Sequence, residues 1–230
     1  MPKRSNPQVS SRKQPKQARA SELVAAVLAA AVQVLRTEGA ARFTTARVAE
    51  RAGVSVGSLY QYFPNKAAIL FRLQSDEWRR TSELLREILE DGRRPPLERL
   101  RTLVHAFLRS ECEEAEVRTA LGDAAPLYRD APEADAARAS GSLVIRDFMR
   151  LALAGADART VALAADLVET TLTQVGSSFS ETERTDREIA DYADAMADMF
   201  SAYLARLQVT TGQARRRGRR SAPIRRRQAH

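Results

Sequence analysis

The sequence predicts an all-α protein, and three observations carry that reading. Alanine, leucine, arginine and glutamate dominate its 230 residues, and all four favour helix. Apolar residues recur at spacings of three and four along most of the chain. No stretch of any length alternates apolar and polar residues as a strand would. A hydrophobic fraction of 44% over 230 residues is enough to build the core of one domain or of two small ones.

Each element can be justified in order. Residues 1–20 are rich in Lys, Arg, Gln, Ser and Pro without an apolar period, which predicts a disordered basic arm. "LVAAVLAAAVQVL", 23–35, resembles the apolar centre of an export signal, but 13 residues are too few to cross a bilayer. Val24, Val27, Leu28, Ala31 and Leu35 instead mark a core helix from Ser21 to Glu38, stopped by Gly39. A short second helix is expected from Thr44 or Thr45 to Ala52, and a third from Ser55 until Phe63-Pro64 breaks it. Asn65 then caps a long fourth helix to about Glu90. After "DGRRPP", 91–96, a fifth carries Leu97, Leu100, Val104, Phe107 and Leu108 on one stripe to about Glu113. Gly122 and Pro126 leave 114–131 without a definite element. Further helices are expected over Pro132–Leu153 and Asp157–Ser177. The last opens on the capping-box pair Thr185 and Glu188 and runs to about Leu207. Residues 209–230 read as a disordered arginine-rich tail.

Charge divides the chain. Residues 1–73 hold 12 basic and 3 acidic side chains, 74–211 hold 17 and 26, and 212–230 hold 8 and none. A basic N-terminal module on an acidic body suggests a polyanion reader joined to a part that does not touch the polyanion. One cysteine, Cys112, excludes an intrachain disulfide and fits a reducing cytoplasm, the expected location. Two histidines exclude a His/Cys metal cluster within one chain. No phosphate-binding glycine loop, nucleophile motif or metal-ligand spacing is present, and the carboxylates sit among arginines as on solvated helix faces, so neither an enzyme nor a cofactor is expected.

The segment "TTARVAERAGVSVGSLYQYFPNK", 44–66, concentrates the signal. Gly53 sits where one short helix must end and the chain turn sharply. Val48, Ala49 and Leu59 face inward, and Ser55 can cap the next helix. Two short helices around a tight glycine turn form a helix-turn-helix. Val56, Gly57, Ser58, Tyr60, Gln61 and Tyr62 remain outside. Gly57 lets a duplex approach; Ser58 and Gln61 can bond base edges or phosphates, and tyrosine hydroxyls reach phosphates. Lys66, in the first turn of the next helix, sits beside free backbone amides that suit a phosphate.

Residues 22–70 resemble the DNA-binding domain of the TetR family of bacterial transcriptional regulators. The threonine pair, the Ala-Glu-x-Ala-Gly-Val-Ser run and the Leu-Tyr-x-Tyr-Phe-x-x-Lys run carry the resemblance. It implies DNA contacts from Thr45, Val56, Gly57, Ser58, Tyr60, Gln61, Tyr62 and Lys66, with Ala46 and Arg47 beside them. It also implies an N-terminal three-helix helix-turn-helix domain (21–66) and a C-terminal helical ligand-binding and dimerisation domain (67–208), about nine helices in all. The function implied is a homodimeric repressor released from a palindromic operator by a small molecule. An activator and an architectural, nucleoid-type DNA-binding protein are the alternatives.

For the dimer interface, apolar stripes on the last two helices single out Val161, Val168, Leu172, Val175, Tyr192, Met196, Phe200, Tyr203 and Leu204; packing within one protomer is the competing reading. For a largely apolar effector, the candidates are Trp78, His105, Phe107, Cys112, Tyr128, Phe148, Met149 and Gln174, each of which also suits ordinary core packing. The arginine runs of the tail could add sequence-independent DNA affinity. No membrane segment is expected.

Overall fold

A computed structural model describes residues 8–10 and 18–220, with side chains placed throughout these except at 136–140 and 211–220. Among the described residues it has nine α-helices and one 3-10 turn, with no strand: α1 (Ala18–Arg42), α2 (Thr45–Arg51), α3 (Val56–Tyr60), α4 (Lys66–Leu89), α5 (Pro96–Glu113), α6 (Ala115–Ala124), the turn Ala125–Leu127, α7 (Pro132–Ala152), α8 (Ala158–Phe179) and α9 (Asp186–Arg220). The all-α expectation therefore holds, with an N-terminal helix-turn-helix module and a C-terminal helical domain.

The helix starts follow from short polar side chains that accept a backbone N–H otherwise left unpaired. Thr44, Ser55, Asn65 and Asp157 cap α2, α3, α4 and α8 in this way. Ahead of α9, Thr185 and Glu188 bond reciprocally as the capping-box spacing predicts. Gly39 breaks the regular helix near the end of α1, at φ 71 and ψ 173.

Two hydrophobic cores form. The first gathers α1, α2, α3, the N-terminal half of α4 and α6, around Val27, Val34, Phe43, Leu59, Phe63 and Tyr128. The second gathers the C-terminal half of α4 with α5, α7, α8 and α9. Helix α4 thus runs through both, with Leu70 in one and Leu85 in the other. The apolar helix α1 is long and apolar enough to cross a membrane by composition alone. Its Val24, Val27, Ala31, Val34 and Leu35 are buried in the first core, as the helical spacing predicts.

Four expectations need revision. The 114–131 region is ordered as α6 and the 3-10 turn, because Leu121, Ala124 and Tyr128 dock onto the first core. The body's boundary therefore does not fall cleanly at residue 67, since α4 through Leu73 and α6 both belong to the N-terminal core. The last helix does not stop near Leu207 but continues to Arg220, so the expected disordered tail is helical over 209–220. Arginine is a good helix former, and cations suit a helix C-terminus. Residues 221–230 lie outside the described part. In the expected disordered arm, Val9 is buried in the first core, the Gln8 carbonyl accepts from Asn65 Nδ2 at 3.1 Å, and the Ser10 hydroxyl donates to Glu133 at 2.7 Å. Residues 1–7 and 11–17 lie outside the described part.

Asn65 is therefore used twice, capping α4 through the amide of Ala68 at 2.9 Å and holding Gln8. Asn65→Ala is expected to lower stability by ~1–2 kcal/mol, a fall of about 2–8 °C in Tm. Asn65→Asp, which keeps the cap acceptor, should recover most of the loss. Thermal unfolding by circular dichroism tests both.

Candidate functional site

The helix-turn-helix is fixed from within. Gly53, at φ 67, occupies the left-handed region, and the Val54 amide donates to the Ala49 carbonyl at 3.0 Å to close the turn. Phe43, Val48, Ala49, Leu59 and Phe63 are buried beneath it. What α3 turns outward follows from this: Val56, Gly57, Tyr60 and Gln61 are exposed, and Ser58 and Tyr62 are half-buried. Tyr62 packs against the first core, and the Ser58 hydroxyl lies 2.8 Å from that of Ser55. The Tyr60 and Thr45 hydroxyls are 3.1 Å apart, linking α2 to α3 across the outer surface. Ala46 is exposed. The Arg47 guanidinium is turned back toward α1, where Nη1 meets Glu38 at 2.8 Å and the Arg42 carbonyl at 2.7 Å. Lys66 opens α4 and is half-buried. A Cβ added to Gly57 would meet only Ser55 Oγ, at 3.8 Å, so the fold itself leaves that space open.

The second feature is a cavity of about 550 Å³ between α4, α5, α6, α7 and α8. Leu85, Phe107, Ile145 and Leu172 form its apolar wall, with Trp78 also lining it. A polar wall faces them. Arg118 of α6 reaches Glu77 on α4 at 3.1 Å, forms a close pair with Glu111 on α5, and bonds the Ser110 hydroxyl at 3.0 Å. Glu77 also accepts from Gln74 and Thr81, each at 3.0 Å. Burial pulls the Arg118 guanidinium below its ordinary pKa, with Arg80 adding to the fall and Glu77 opposing it. On the far side, Glu169 of α8 accepts from the Ser142 hydroxyl of α7.

Of the ligand candidates read from sequence, the structure brings Trp78 and Phe107 to this cavity. The other six lie elsewhere. Tyr128 is buried in the first core, where its hydroxyl contacts Gln74 Oε1 at 3.2 Å and the Leu121 carbonyl at 3.0 Å, and burial raises its pKa. Phe148 and Met149 fill the second core, Phe148 under the Arg99 guanidinium. His105 pairs with Asp194 of α9 at 3.1 Å and holds that carboxyl below its ordinary pKa. Gln174 is exposed on α8. Cys112 borders a separate, more polar hollow near Arg109 and Arg184, and burial raises its thiol pKa.

Sequence reasoning missed Glu77, Glu111 and Arg118 by taking carboxylates for solvated faces. Both glutamates are 6% exposed. A signal was present: Glu77 falls between Leu73 and Leu85 on the inward stripe of α4, and Glu111 continues the stripe Val104–Phe107–Leu108 on α5.

The proposed interface stripe also divides. Val161, Val168, Leu172, Met196, Phe200 and Leu204 are buried in the protomer's own second core, and Val175 and Tyr203 pack against it. They are inward residues because α8 and α9 both flank α5. Of the nine, Tyr192 is exposed, stacked on Phe179 with ring centroids 4.2 Å apart. The outward apolar residues of these helices are Leu163 (59% exposed), Leu167 (44%), Tyr192 (39%) and Met199 (53%).

Comparison with known proteins agrees with this arrangement. The family model described as "Bacterial regulatory proteins, tetR family" matches residues 27–73, and "Tetracyclin repressor-like, C-terminal domain" matches 95–207. Among solved structures, a putative TetR-family transcriptional regulator from Mesorhizobium loti MAFF303099 superposes with a TM-score of 0.64 at 15% identity, covering 81% of this chain and 98% of that one. The regulator FadR of Bacillus subtilis, in complex with stearoyl-CoA, superposes with a TM-score of 0.59 at 16% identity, covering 76% and 96%. A curated relative, the nucleoid occlusion factor SlmA of Vibrio campbellii, is 39% identical over 83 residues, 36% of this chain and 42% of its own length. The chain thus spans well under half the length of the curated relatives it matches. The two family models fall on the two structural modules, the helix-turn-helix and the helical body that encloses the cavity, and the chain belongs to the TetR family of bacterial transcriptional regulators.

Proposed function

We propose that the protein is a ligand-responsive transcriptional repressor, a homodimer that binds a palindromic operator in the cytoplasm and is released by a small molecule. The observation that carries the DNA half is the outer surface of α3, where Val56, Gly57, Tyr60 and Gln61 project from a rigidly packed turn and the space over Gly57 is open. In this reading Gln61 and Ser58 contact base edges, and Val56 meets a thymine methyl. Tyr60, Tyr62, Thr45 and Lys66 hold phosphates, the lysine assisted by the free amides of α4. Ala46 lies against the backbone, and Arg47, engaged by Glu38, orients α2. A dimer sets two such helices one helical turn of DNA apart, about 34–36 Å.

The interface we propose uses Leu163 and Leu167 of α8 with Tyr192 and Met199 of α9, the apolar residues that these helices leave outside. Effector entry is coupled to DNA through α6, whose Arg118 lines the cavity and whose Leu121 and Ala124 belong to the first core. A coupling of ~1–3 kcal/mol suffices. The stearoyl-CoA in the Bacillus subtilis relative does not transfer to this chain, because a likeness at 16% identity carries the fold and not the ligand. Binding, and not catalysis, is the activity proposed.

The 83 residues shared with SlmA support a second reading, a nucleoid-associated protein without a single operator. Footprinting on genomic fragments separates the two. One protected palindrome supports the repressor, whereas uniform coating supports the alternative.

Two variants test the geometry. Gly57→Ala adds a methyl that the protein itself tolerates, so thermal stability should hold or rise, while operator affinity falls about tenfold because the methyl lies where the duplex approaches. Fluorescence anisotropy and thermal unfolding measured together check this split; unaltered affinity would displace α3 from the groove. Met199→Arg is expected to give a folded monomer with weakened operator binding, measured by light scattering and anisotropy. By contrast, Phe200→Arg should destabilise the protomer itself, because Phe200 is buried in its own core.

A further inference from the structure

We propose that the effector is an organic cation: an apolar or aromatic body carrying a single ammonium, amidinium or similar group. This rests on the reading of the α4–α8 cavity as the effector site and names the chemistry that the site selects.

The first observation is charge. Glu77 and Glu111 are each 6% exposed and share Arg118, so two buried carboxylates face one guanidinium. Charge withdrawn from water is stable only when paired, and this group is left net negative. Glu169 on the opposite wall is bonded by the Ser142 hydroxyl, which is neutral and leaves the carboxylate's charge in place. Glu77, Glu111 and Glu169 thus face a single lining guanidinium, that of Arg118, among the described residues. A positive group between Glu169 and the Glu77–Glu111 pair supplies the missing charge.

The second observation is independent of charge. Ser82 is 5% exposed and lines the same cavity, with its hydroxyl oxygen on the wall beside Gly141. A hydroxyl on the cavity wall beside the acidic groups offers its oxygen as acceptor to a ligand N–H. Gly141 keeps the approach clear, since a Cβ there would lie 3.5 Å from Ser82 Oγ.

The remaining wall completes the selection. Leu85, Ile145 and Leu172 accommodate an apolar body, and the Phe107 and Trp78 rings favour a cation over a neutral group of equal size. A volume of about 550 Å³ lies within the range of small-molecule sites. Anions are disfavoured, because the cavity's described cation, Arg118, is already engaged by two carboxylates.

Trp78 is the sole tryptophan and lines the cavity, so its emission reports occupancy. Decyltrimethylammonium, decanol and decanoate, kept below micelle-forming concentrations, share an apolar chain and differ in charge. The full chain should bind the cation at least tenfold more tightly than either of the others by Trp78 emission, and the cation should release operator DNA at the lowest concentration. Glu169→Gln should weaken the cation about tenfold, the scale of one charge-assisted hydrogen bond, without weakening decanol. Glu169→Asp should recover part of the loss. If decanol or decanoate binds as well as the cation and releases DNA, the cation assignment is overturned while the ligand-responsive repressor stands. If Glu169→Gln binds the cation as the wild type does, the assignment also fails. If none of the three alters Trp78 emission or operator binding, the assignment and the effector role of the cavity fall together.

Discussion

The ion-pair cluster around Arg118 is the constraint on which the rest of the body depends. One guanidinium at the middle of α6 meets carboxylates from α4 and α5, and those three helices are thereby held at one point. The pairing is not a simple stabiliser. Removing a partner from a buried ion pair costs ~3–5 kcal/mol, yet an apolar replacement of similar volume is often neutral or better. Its consequence is geometric: α6 cannot slide along α4 or α5 without separating charges that have little water to turn to. Arg118 Nε is buried at this point without a hydrogen-bond partner among the described residues.

That constraint links the two cores. The first core ends with Leu121, Ala124 and Tyr128, only a turn or two beyond Arg118. The chain of contacts Arg118–Glu77–Gln74–Tyr128 then runs through side-chain hydrogen bonds of 3.0 to 3.2 Å from the cavity wall into the base of the helix-turn-helix module. In the proposed reading, an occupant that draws on Glu77 or Glu111 competes with Arg118 and so bears on α6 and on α4, whose N-terminus presents Lys66. A modest preference for one arrangement is enough, because both cores are well packed and pass displacement on as rigid bodies.

Much of the fold was legible in the sequence because local chemistry and global packing agree there. Thr44, Ser55, Asn65 and Asp157 cap where short polar residues precede apolar periods, and Gly53 takes the left-handed conformation the turn needs. The outward surface of the helix-turn-helix was legible for the same reason, being defined locally by two short helices. The cavity was not. Its lining comes from five helices, and its decisive residues are carboxylates that composition alone assigns to solvent. Only their position on inward stripes betrays Glu77 and Glu111. The dimer stripe failed differently. Periodicity shows that α8 and α9 are apolar on broad faces, but the neighbouring α5 decides which residues it takes. Met196, Phe200 and Leu204 go inward, leaving Leu163, Leu167, Tyr192 and Met199 outside.

The course of α9 assigns a place to the basic C-terminal segment. Arg109 near the end of α5 pairs with Asp186 at the start of α9, while Arg101 near the start of α5 pairs with Asp194 and Asp198 further along. The two helices are therefore antiparallel. The end of α5 adjoins α6 and the DNA-binding module, so α9 begins near that module and leaves it behind. By Gln208 it has reached the Ala152 carbonyl at the far end of α7. The helical continuation to Arg220 adds about 18 Å beyond that point at the rise of an α-helix. The helical backbone of 209–220 thus leads away from the end of the body that carries Gly57 and Lys66.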